Sequence, residues 1–299
     1  MKAVDTAEVF QRERPRLTGL AYRMLGSLAD AEDVVSEAWI RFDETGPDGI
    51  DRPAAWLTTV TSRLAIDRLR AQQRRREDYV GPWLPEPVPT ERAAGTGDLA
   101  ADPAERAELS ESLTLGFLVV LDRLEPTERA VFLLADVFGE PYADIAAAVG
   151  KSPEACRQIA SRARRKVREE RSARHAADEP TVADLVTAIG VGDLPRLLDL
   201  LAEDVVLVSD GGPDRHAARR PVVGPDRVAR FLVNLSTRVP AGAAMGIEVV
   251  NAAPALVVRS GDGDVVLTAD VDGEGRVCAV RVLLNPDKLG ALGGGVDVQ

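Results

Sequence analysis

The sequence predicts a multidomain chain: two all-α domains followed by a C-terminal α+β domain. Three observations predict it. Apolar residues recur at three- and four-residue spacing through most of the first 174 positions. A stretch rich in Pro and Gly, residues 81–103, interrupts that helical pattern. Four short β-like runs then crowd into residues 246–284, after further helices. The implied boundaries are a first helical domain at 1–80, a linker at 81–103, a second helical domain at 104–176 and the α+β domain at 180–299.

Composition narrows the function. The 299 residues hold 37 Lys and Arg against 48 Asp and Glu, a net charge of −11, which excludes a nonspecific nucleic-acid coat. Any DNA contact must come from local basic faces. No run of about eighteen apolar residues occurs, so no membrane helix is expected. The N-terminus, MKAVDTAEVFQRERPR, lacks the apolar core of a signal peptide. Cys156 and Cys278 fall in different predicted domains, which fits a reducing cytoplasm rather than a disulfide framework. Two histidines and no Cys/His cluster at metal spacing leave no metal or cofactor to expect.

The first helix spans 5–28, with Phe10, Leu17, Leu20, Ala21, Met24 and Leu25 as its apolar stripe. After a Gly26-Ser27 turn, Asp30 starts DAEDVVSEAWIRF, where Ala31, Val34, Val35, Ala38, Trp39 and Phe42 make an amphipathic face. The opposite face carries Asp30, Glu32, Asp33 and Glu37. Those acids serve either the positive helix N-terminus or a basic docking partner, and the charges alone do not decide. A polar loop, 43–52, precedes a helix opened by Pro53. There Trp56, Leu57, Val60, Leu64 and Leu69 point inward, and Arg63, Arg68, Arg70 and Arg74 to Arg76 point out. An aromatic, threonines and arginines beside a loop suit unstacked bases. A core tryptophan and a solvated helix end explain the same residues.

The 81–103 linker holds four acids against one Arg, and within it Trp83-Leu84 is a bulky apolar pair that ought to dock on something. A helix at 104–124 follows. Thr127 and Glu128 open the next helix after Pro126, Gly139 ends it, and a second helix with Ile145 and Val149 ends at Gly150. Ser152 then caps a third helix with Pro153 at its first position. Ala155, Ile159, Ala163 and Val167 share one face of it; Glu154, Arg157, Gln158, Ser161, Arg165 and Arg168 share the other. From Lys151 to Arg174 there are nine Lys and Arg against three acids, a net of +6 in an acidic chain. Helix, glycine turn and basic helix in that order suit a helix-turn-helix whose second helix enters the major groove. A solvated basic face in an ordinary bundle is the plainer reading.

Beyond Arg174 the charge reverses, with eleven Lys and Arg against sixteen acids from Pro180 to Gln299. The expected order is a helix pair at 181–202, a buried strand at 205–209, a loop DGGPDRHAARR, a short strand at PVVG, a helix at 225–237, and strands at 246–251, 254–259, 264–271 and 276–284. Together they make a bent antiparallel sheet with helices.

DAEDVVSEAWIRF and PAAWLTTVTSRLAIDRLRAQQRR resemble region 2 of extracytoplasmic-function (group 4) RNA polymerase sigma factors. LDRLEPTERAVFLLADVFGEPYADIAAAVGKSPEACRQIASRARRKV resembles region 4 of that family. The last 120 residues are similar to a SnoaL-like cone, as in the SigJ-related subfamily. Trp83-Leu84-Pro85-Glu86-Pro87, the loop Asp210-Gly211-Gly212 and Asn285-Pro286-Asp287-Lys288-Leu289 match that subfamily's signatures. Where it has Asp-Gly-Gly-Gly-Lys, this chain continues with Pro213-Asp214.

The resemblance implies a promoter-specificity subunit with core RNA polymerase and promoter DNA as partners, and no membrane partner. Asp30, Glu32, Asp33 and Glu37 would bind the β′ clamp, and region 4 would touch the β flap. Trp56, Thr59, Arg63, Asp67, Arg70 and Arg74 would engage the −10 element. Ser152, Glu154, Arg157, Gln158, Ser161, Arg162 and Arg165 would read the −35 element. Trp83, Leu84, Asp210, Gly211, Gly212, Asn285, Pro286, Asp287 and Lys288 would form a regulatory interdomain contact, in place of a separate anti-sigma factor. Two alternatives differ in class. One is a SnoaL-like enzyme, with no catalytic residue assigned and only Asp210 and His216 as loop candidates. The other is a ligand-sensing one-component regulator, its unidentified small ligand held by the cone.

Overall fold

The structure, a computed structural model, describes residues 6–46, 49–76, 79–93, 109–171 and 174–292. Their contacts group into two units. The first comprises the described residues within 1–77, 90–113 and 117–170; the second those within 78–89, 114–116 and 171–299.

The first unit is helical: α1 (Thr6–Leu25), α2 (Leu28–Thr45), α3 (Pro53–Arg76), α4 (Thr90–Ala93), α5 (Leu115–Leu121), α6 (Pro126–Phe132), α7 (Tyr142–Val149) and α8 (Pro153–Arg171), with Leu115, Gly116 and Arg171 at the ends of α5 and α8 grouping with the second. Leu17, Leu20, Met24, Ala31, Val35, Phe42, Leu57 and Leu69 are buried where α1, α2 and α3 meet. The second helix begins at Leu28, earlier than expected, because the Ser27 side chain caps it by accepting from the Asp30 amide. On α3 the buried face is Leu57, Thr61, Ala65, Ile66 and Leu69; Val60 and Leu64, expected inside, are half-buried. Small residues at 61, 62 and 65 let the helices approach closely, so the buried stripe sits one step round from the large aliphatics.

The expected single helix at 104–124 is corrected in its described part: residues 109–111 are helical, 112–114 break the helix, and α5 follows. Residues 94–108 lie outside the described residues. A capping box of Glu125 and Glu128 starts α6, with Pro126 at its first position, and one π turn (Leu133–Val137) extends it. Gly150, at φ +67°, ends α7 in the left-handed conformation and makes the tight turn into α8. Cys156 and Ala160 join Ile159, Ala163 and Val167 on the buried face of α8.

The second unit is α+β: β1 (His175–Ala176), α9 (Glu179–Val191), α10 (Leu194–Leu200), β2 (Leu201–Asp210), β3 (Val222–Val223), α11 (Pro225–Ser236), β4 (Ala244–Val250), β5 (Ala253–Arg259), β6 (Val265–Val271), β7 (Val277–Leu283) and α12 (Pro286–Leu289). The sheet order is β3-β2-β7-β6-β5-β4, with β1 against β6. The expected antiparallel sheet is in fact mixed, because β2 and β7 run parallel. Strand β3, helix α11 and the β4–β6 meander separate them in sequence, enough chain for a crossover. Val182, Leu185 and Ile189 of α9 and Leu232 of α11 pack with Leu267, Ala269, Val280 and Val282 of the sheet in one core.

The expected polar linker is also corrected. Its first part, residues 81–89, belongs with the preceding 79–80 to the second unit: Leu84 and Val88 are buried, and Pro89 bridges to Val250. A Pro-rich segment is already extended and has few amides to satisfy, so it can lie along a sheet edge at small entropic cost.

Candidate functional site

The basic face of α8 is built by a division of labour among its cations. Lys166 bonds Glu128 at 2.7 Å, and Arg164 bonds Asp136 at 2.6 Å and the Tyr142 hydroxyl at 3.1 Å. These two tie α8 to the preceding helices. The remaining residues face out: Ser152, Glu154, Arg157, Gln158, Ser161, Arg162 and Arg165 are all exposed. Ser152 caps the helix by accepting from the Ala155 amide at 3.2 Å. The Arg157 guanidinium lies 5.4 Å from the centroid of the Tyr142 ring and 3.3 Å from Glu154. The backbone amide at the helix N-terminus, with Arg157, holds the Glu154 carboxyl below its usual range. The result is an ordered donor–acceptor surface with exposed guanidiniums further along, Arg165 lying 3.9 Å from Glu169.

The acids of α2 are not equivalent. Asp30 accepts from Arg68 at 2.7 Å and Gln72 at 2.5 Å, which staples α2 to α3. Arg68 also bonds Asp33 at 2.8 Å, Arg41 bonds Glu37 at 2.5 Å, and Arg92 bonds Glu32 at 3.2 Å. The side chains of Asp33, Glu37 and Glu32 remain 72%, 52% and 46% exposed, whereas Asp30 is half-buried in its bonds to α3.

On α3, Trp56 is half-buried and stacks in a row of aromatics, 5.7 Å from Phe42, which in turn lies 6.4 Å from Trp39. Thr59 is half-buried; Arg63, Asp67, Arg70 and Arg74 are exposed. Two of these arginines are engaged within the unit. Arg63 donates to the carbonyls of Ala147 at 2.6 Å and Ala148 at 3.3 Å, at the C-terminal end of α7. Arg70 bonds Asp67 at 3.2 Å and Thr127 at 3.5 Å. Arg52 adds a bidentate pair to Asp144, both bonds 2.9 Å, and Arg16 reaches Glu140 at 2.9 Å. The helix carrying the single-strand candidates thus packs on the first helix of the helix-turn-helix.

The second unit brings together the Trp-Leu, Asp-Gly-Gly and Asn-Pro-Asp-Lys segments. Asp210 is buried at the end of β2. Its carboxylate accepts from the Tyr79 hydroxyl at 2.6 Å, the Leu84 amide at 2.8 Å, the Gly212 amide at 3.1 Å and Lys288 Nζ at 2.6 Å. Lys288 also donates to the Leu84 carbonyl at 2.6 Å and sits 4.1 Å from the Trp83 ring centroid. Asn285 donates to the Tyr79 oxygen at 2.9 Å and caps α12 through Asp287, with Pro286 opening that helix. Gly212 is required: at φ +61° a Cβ would stand 2.8 Å from the Asn285 side chain. Gly211 is equally crowded, its Cβ position lying 2.7 Å from the Arg215 carbonyl. Burial and the Asp210 bond push the Tyr79 phenol well above its ordinary value, which keeps it a donor. His216 is exposed at the rim of a polar cavity lined also by Ser209, Arg215 and Arg219.

Tyr79, Val88 and Asn251 were not legible as members of this clasp. The Asn251 side chain accepts from the Val88 amide at 2.9 Å, and the Asn251 amide returns a bond to the Val88 carbonyl at 3.0 Å. Among the described residues no His/Cys/Asp/Glu group could hold a metal, and no helix is long and apolar enough to cross a membrane.

Comparison with known proteins bears on the family. Residues 9–75 match the Sigma-70 region 2 family and residues 116–167 match Sigma-70, region 4. The ECF RNA polymerase sigma factor SigJ of Mycobacterium tuberculosis is 39% identical over 300 residues, covering 93% of this chain and 91% of that protein. The probable ECF RNA polymerase sigma factor SigI of the same species is 34% identical, covering 96% and 97%. The crystal structure of Mycobacterium tuberculosis SigJ superposes with a TM-score of 0.73 at 37% identity, covering 96% of this chain and 99% of that one. With both sigma regions in order and a C-terminal sheet domain shared along the full length, the chain belongs to the extracytoplasmic-function RNA polymerase sigma factors.

Proposed function

We propose that this sigma factor reads the −35 element with the outer face of α8, engages the −10 element with α3, docks on polymerase through α2, and is regulated by its own C-terminal domain. The observation that carries the promoter-reading part is the outward face of α8. Ser152, Glu154, Arg157, Gln158, Ser161, Arg162 and Arg165 are all exposed, while Arg164 and Lys166 are spent on holding the helix in place. Residues near the start of such a helix approach base edges, and later arginines lie nearer phosphates. Arg157→Ala and Arg165→Ala should each weaken promoter binding by about 1–3 kcal/mol where they touch bases. Unchanged affinity of both variants at fixed salt removes this assignment.

Docking on the β′ clamp rests on Glu32, Asp33 and Glu37, the acids left exposed, of which Asp33 and Glu37 are the most open. Reversing both to Lys should weaken holoenzyme assembly without altering the helical circular-dichroism spectrum. Assembly at the wild-type affinity would make them helix-surface charges only. The −10 contacts of Arg63 and Arg70 require these arginines to leave α7 and Thr127, so the free chain stands in a closed arrangement that promoter binding opens.

The C-terminal domain takes the place of a separate anti-sigma factor in this proposal, because the clasp around Asp210 holds the chain just beyond region 2. Catalysis is disfavoured by the same geometry: the Asp210 carboxylate already accepts four hydrogen bonds and has no free edge for a substrate proton. The protein would act in the cytoplasm, with core polymerase and promoter DNA as partners. Transcription in vitro with purified core polymerase and a template library tests the whole proposal: polymerase-dependent, sequence-specific initiation supports it, and its absence overturns it.

A further inference from the structure

We propose that the polar cavity beside the Asp210 clasp binds a phosphate-type oxyanion, free or carried on a small phosphomonoester, and that its occupant holds the start of the linker on the C-terminal domain. The inference deepens the regulatory role proposed above and rests on it. The cavity lies wholly within the second unit. Val80 and Gly81, where the linker begins, form one wall; Ser209 and residues 212–219 form the other. The walls meet closely: Gly81 stands at φ +83°, and a Cβ there would lie 3.5 Å from the Arg219 Cα. An occupant of this cavity therefore touches linker and loop together.

The lining selects the ligand by charge. From Asp210 to Arg220 the loop carries Arg215, Arg219 and Arg220 against Asp210 and Asp214. Lys288 already balances Asp210, so three arginines face one exposed acid, in a domain that is otherwise acidic. Arg215, His216 and Arg219 line the cavity, and among the described residues no hydrogen bond or ion pair occupies their side chains. Asp214 lines it too, yet it pairs with neither arginine, and water screens its exposed charge. Arg215 is half-buried and held in place: a Cβ at Gly263 would collide with its Nη2, so the guanidinium lies directly on the backbone of the β5–β6 turn. A cation fixed in this way has little further freedom to lose on binding. Ser209, 1% exposed, accepts from the Ala218 amide at 2.7 Å, which leaves its hydroxyl proton to donate. Guanidinium N–H pairs match phosphate oxygens in a bidentate fork. Size sets the upper limit. The cavity is about 110 Å³, against roughly 300–1,000 Å³ for sites that enclose a drug-sized molecule. It takes a phosphate group and leaves no room for a base and sugar.

Hydrogen exchange on the full-length chain, in buffer without phosphate, reads the occupancy. Inorganic phosphate and glycerol phosphate are the probes, with chloride and acetate as controls at matched ionic strength. At ten times its dissociation constant, a probe should slow exchange over residues 79–83 and 209–219 about tenfold. A response to inorganic phosphate supports the site with the free ion as its ligand; a response to glycerol phosphate alone supports it with the ester. Arg215→Gln with Arg219→Gln should abolish the slowing. Arg219→Gln alone, at an exposed position that packing does not need, should weaken it, and Arg219→Lys should keep part of it. Slowing by neither probe, equal slowing by chloride or acetate, or full slowing in the double variant overturns the site. Run-off transcription then tests its role. The effective probe should lower the wild-type rate by about twofold or more and leave the double variant's rate unaffected. Binding without that difference overturns the regulatory role of the cavity. If a chain ended near Pro180 transcribes at a different rate while the probe changes nothing, the domain regulates and this cavity does not.

Discussion

In the Lys288→Met variant the clasp on residues 79–89 opens, and the C-terminal unit loses about 3–5 kcal/mol, the cost of removing one partner from a buried ion pair. The size follows from the burial of what is left behind. The Asp210 side chain is fully buried, and among the described residues Lys288 is its cationic partner, at 2.6 Å. Tyr79, Leu84 and Gly212 would still donate, but neutral donors compensate a buried carboxylate only in part. The same substitution removes the bond to the Leu84 carbonyl and the cation over Trp83, both of which act on the linker itself. Hydrogen exchange should therefore rise first over residues 79–89. Adding Asp210→Asn to Lys288→Met removes both charges and should recover much of the loss, since a missing pair costs far less than half of one. Denaturant unfolding of the full-length variants measures both quantities. A loss well under about 1 kcal/mol for the single variant would place Lys288 among solvent-screened surface pairs and dissolve the clasp.

Helices with a clean apolar stripe were legible because the stripe is the cause of their packing. That holds for α2, whose Ala31, Val34, Val35, Ala38 and Phe42 are all buried, and for the inner face of α8. The three signature segments could be expected in one contact through their resemblance to a subfamily, but not paired atom by atom, because nothing local says that Lys288 meets Leu84. Two buried arginines were illegible for a different reason. Arg23 donates to Ser112 Oγ at 2.9 Å and to the carbonyls of Gly19, Ala93 and Leu109, and burial pushes its guanidinium down to about 10. Arg129 donates to the Met24 carbonyl at 2.7 Å and to Asp122 at 2.8 Å, and burial lowers it as well. A lone arginine reads as solvent-facing, and carbonyl acceptors contributed from far along the chain leave no pattern around it. The parallel pairing of β2 with β7 was hidden too. Strand periodicity reports which face is buried and not which neighbour is chosen.

Two truncations should move transcription in opposite directions. Ending the chain just before Asn285 removes Asn285 and Lys288, hence one partner of Tyr79, the cation on Asp210 and the donor to the Leu84 carbonyl. The bonds of Asp210 to Tyr79 and the Leu84 amide remain, as do both bonds between Val88 and Asn251, so the linker is loosened and still seated. Loosening lets Arg63 leave the α7 carbonyls and the two sigma regions part more readily, so transcription from a cognate promoter should rise. Ending the chain near Pro180 removes the sheet itself. Leu84 and Val88, 2% and 0% exposed in the full chain, then face water, at a cost of roughly 1.5–3 kcal/mol each in lost burial. The linker no longer has a surface to fix its path, the effective concentration that held the two regions in a usable geometry is lost, and transcription should fall below the full-length rate. The order matters more than either value: shorter deletion up, longer deletion down, measured as run-off transcript per holoenzyme with binding to core polymerase as the control. Equal rates for all three proteins would mean that the sheet domain does not regulate this sigma factor, and the enzymatic and ligand-sensing readings of that domain would have to be taken up again.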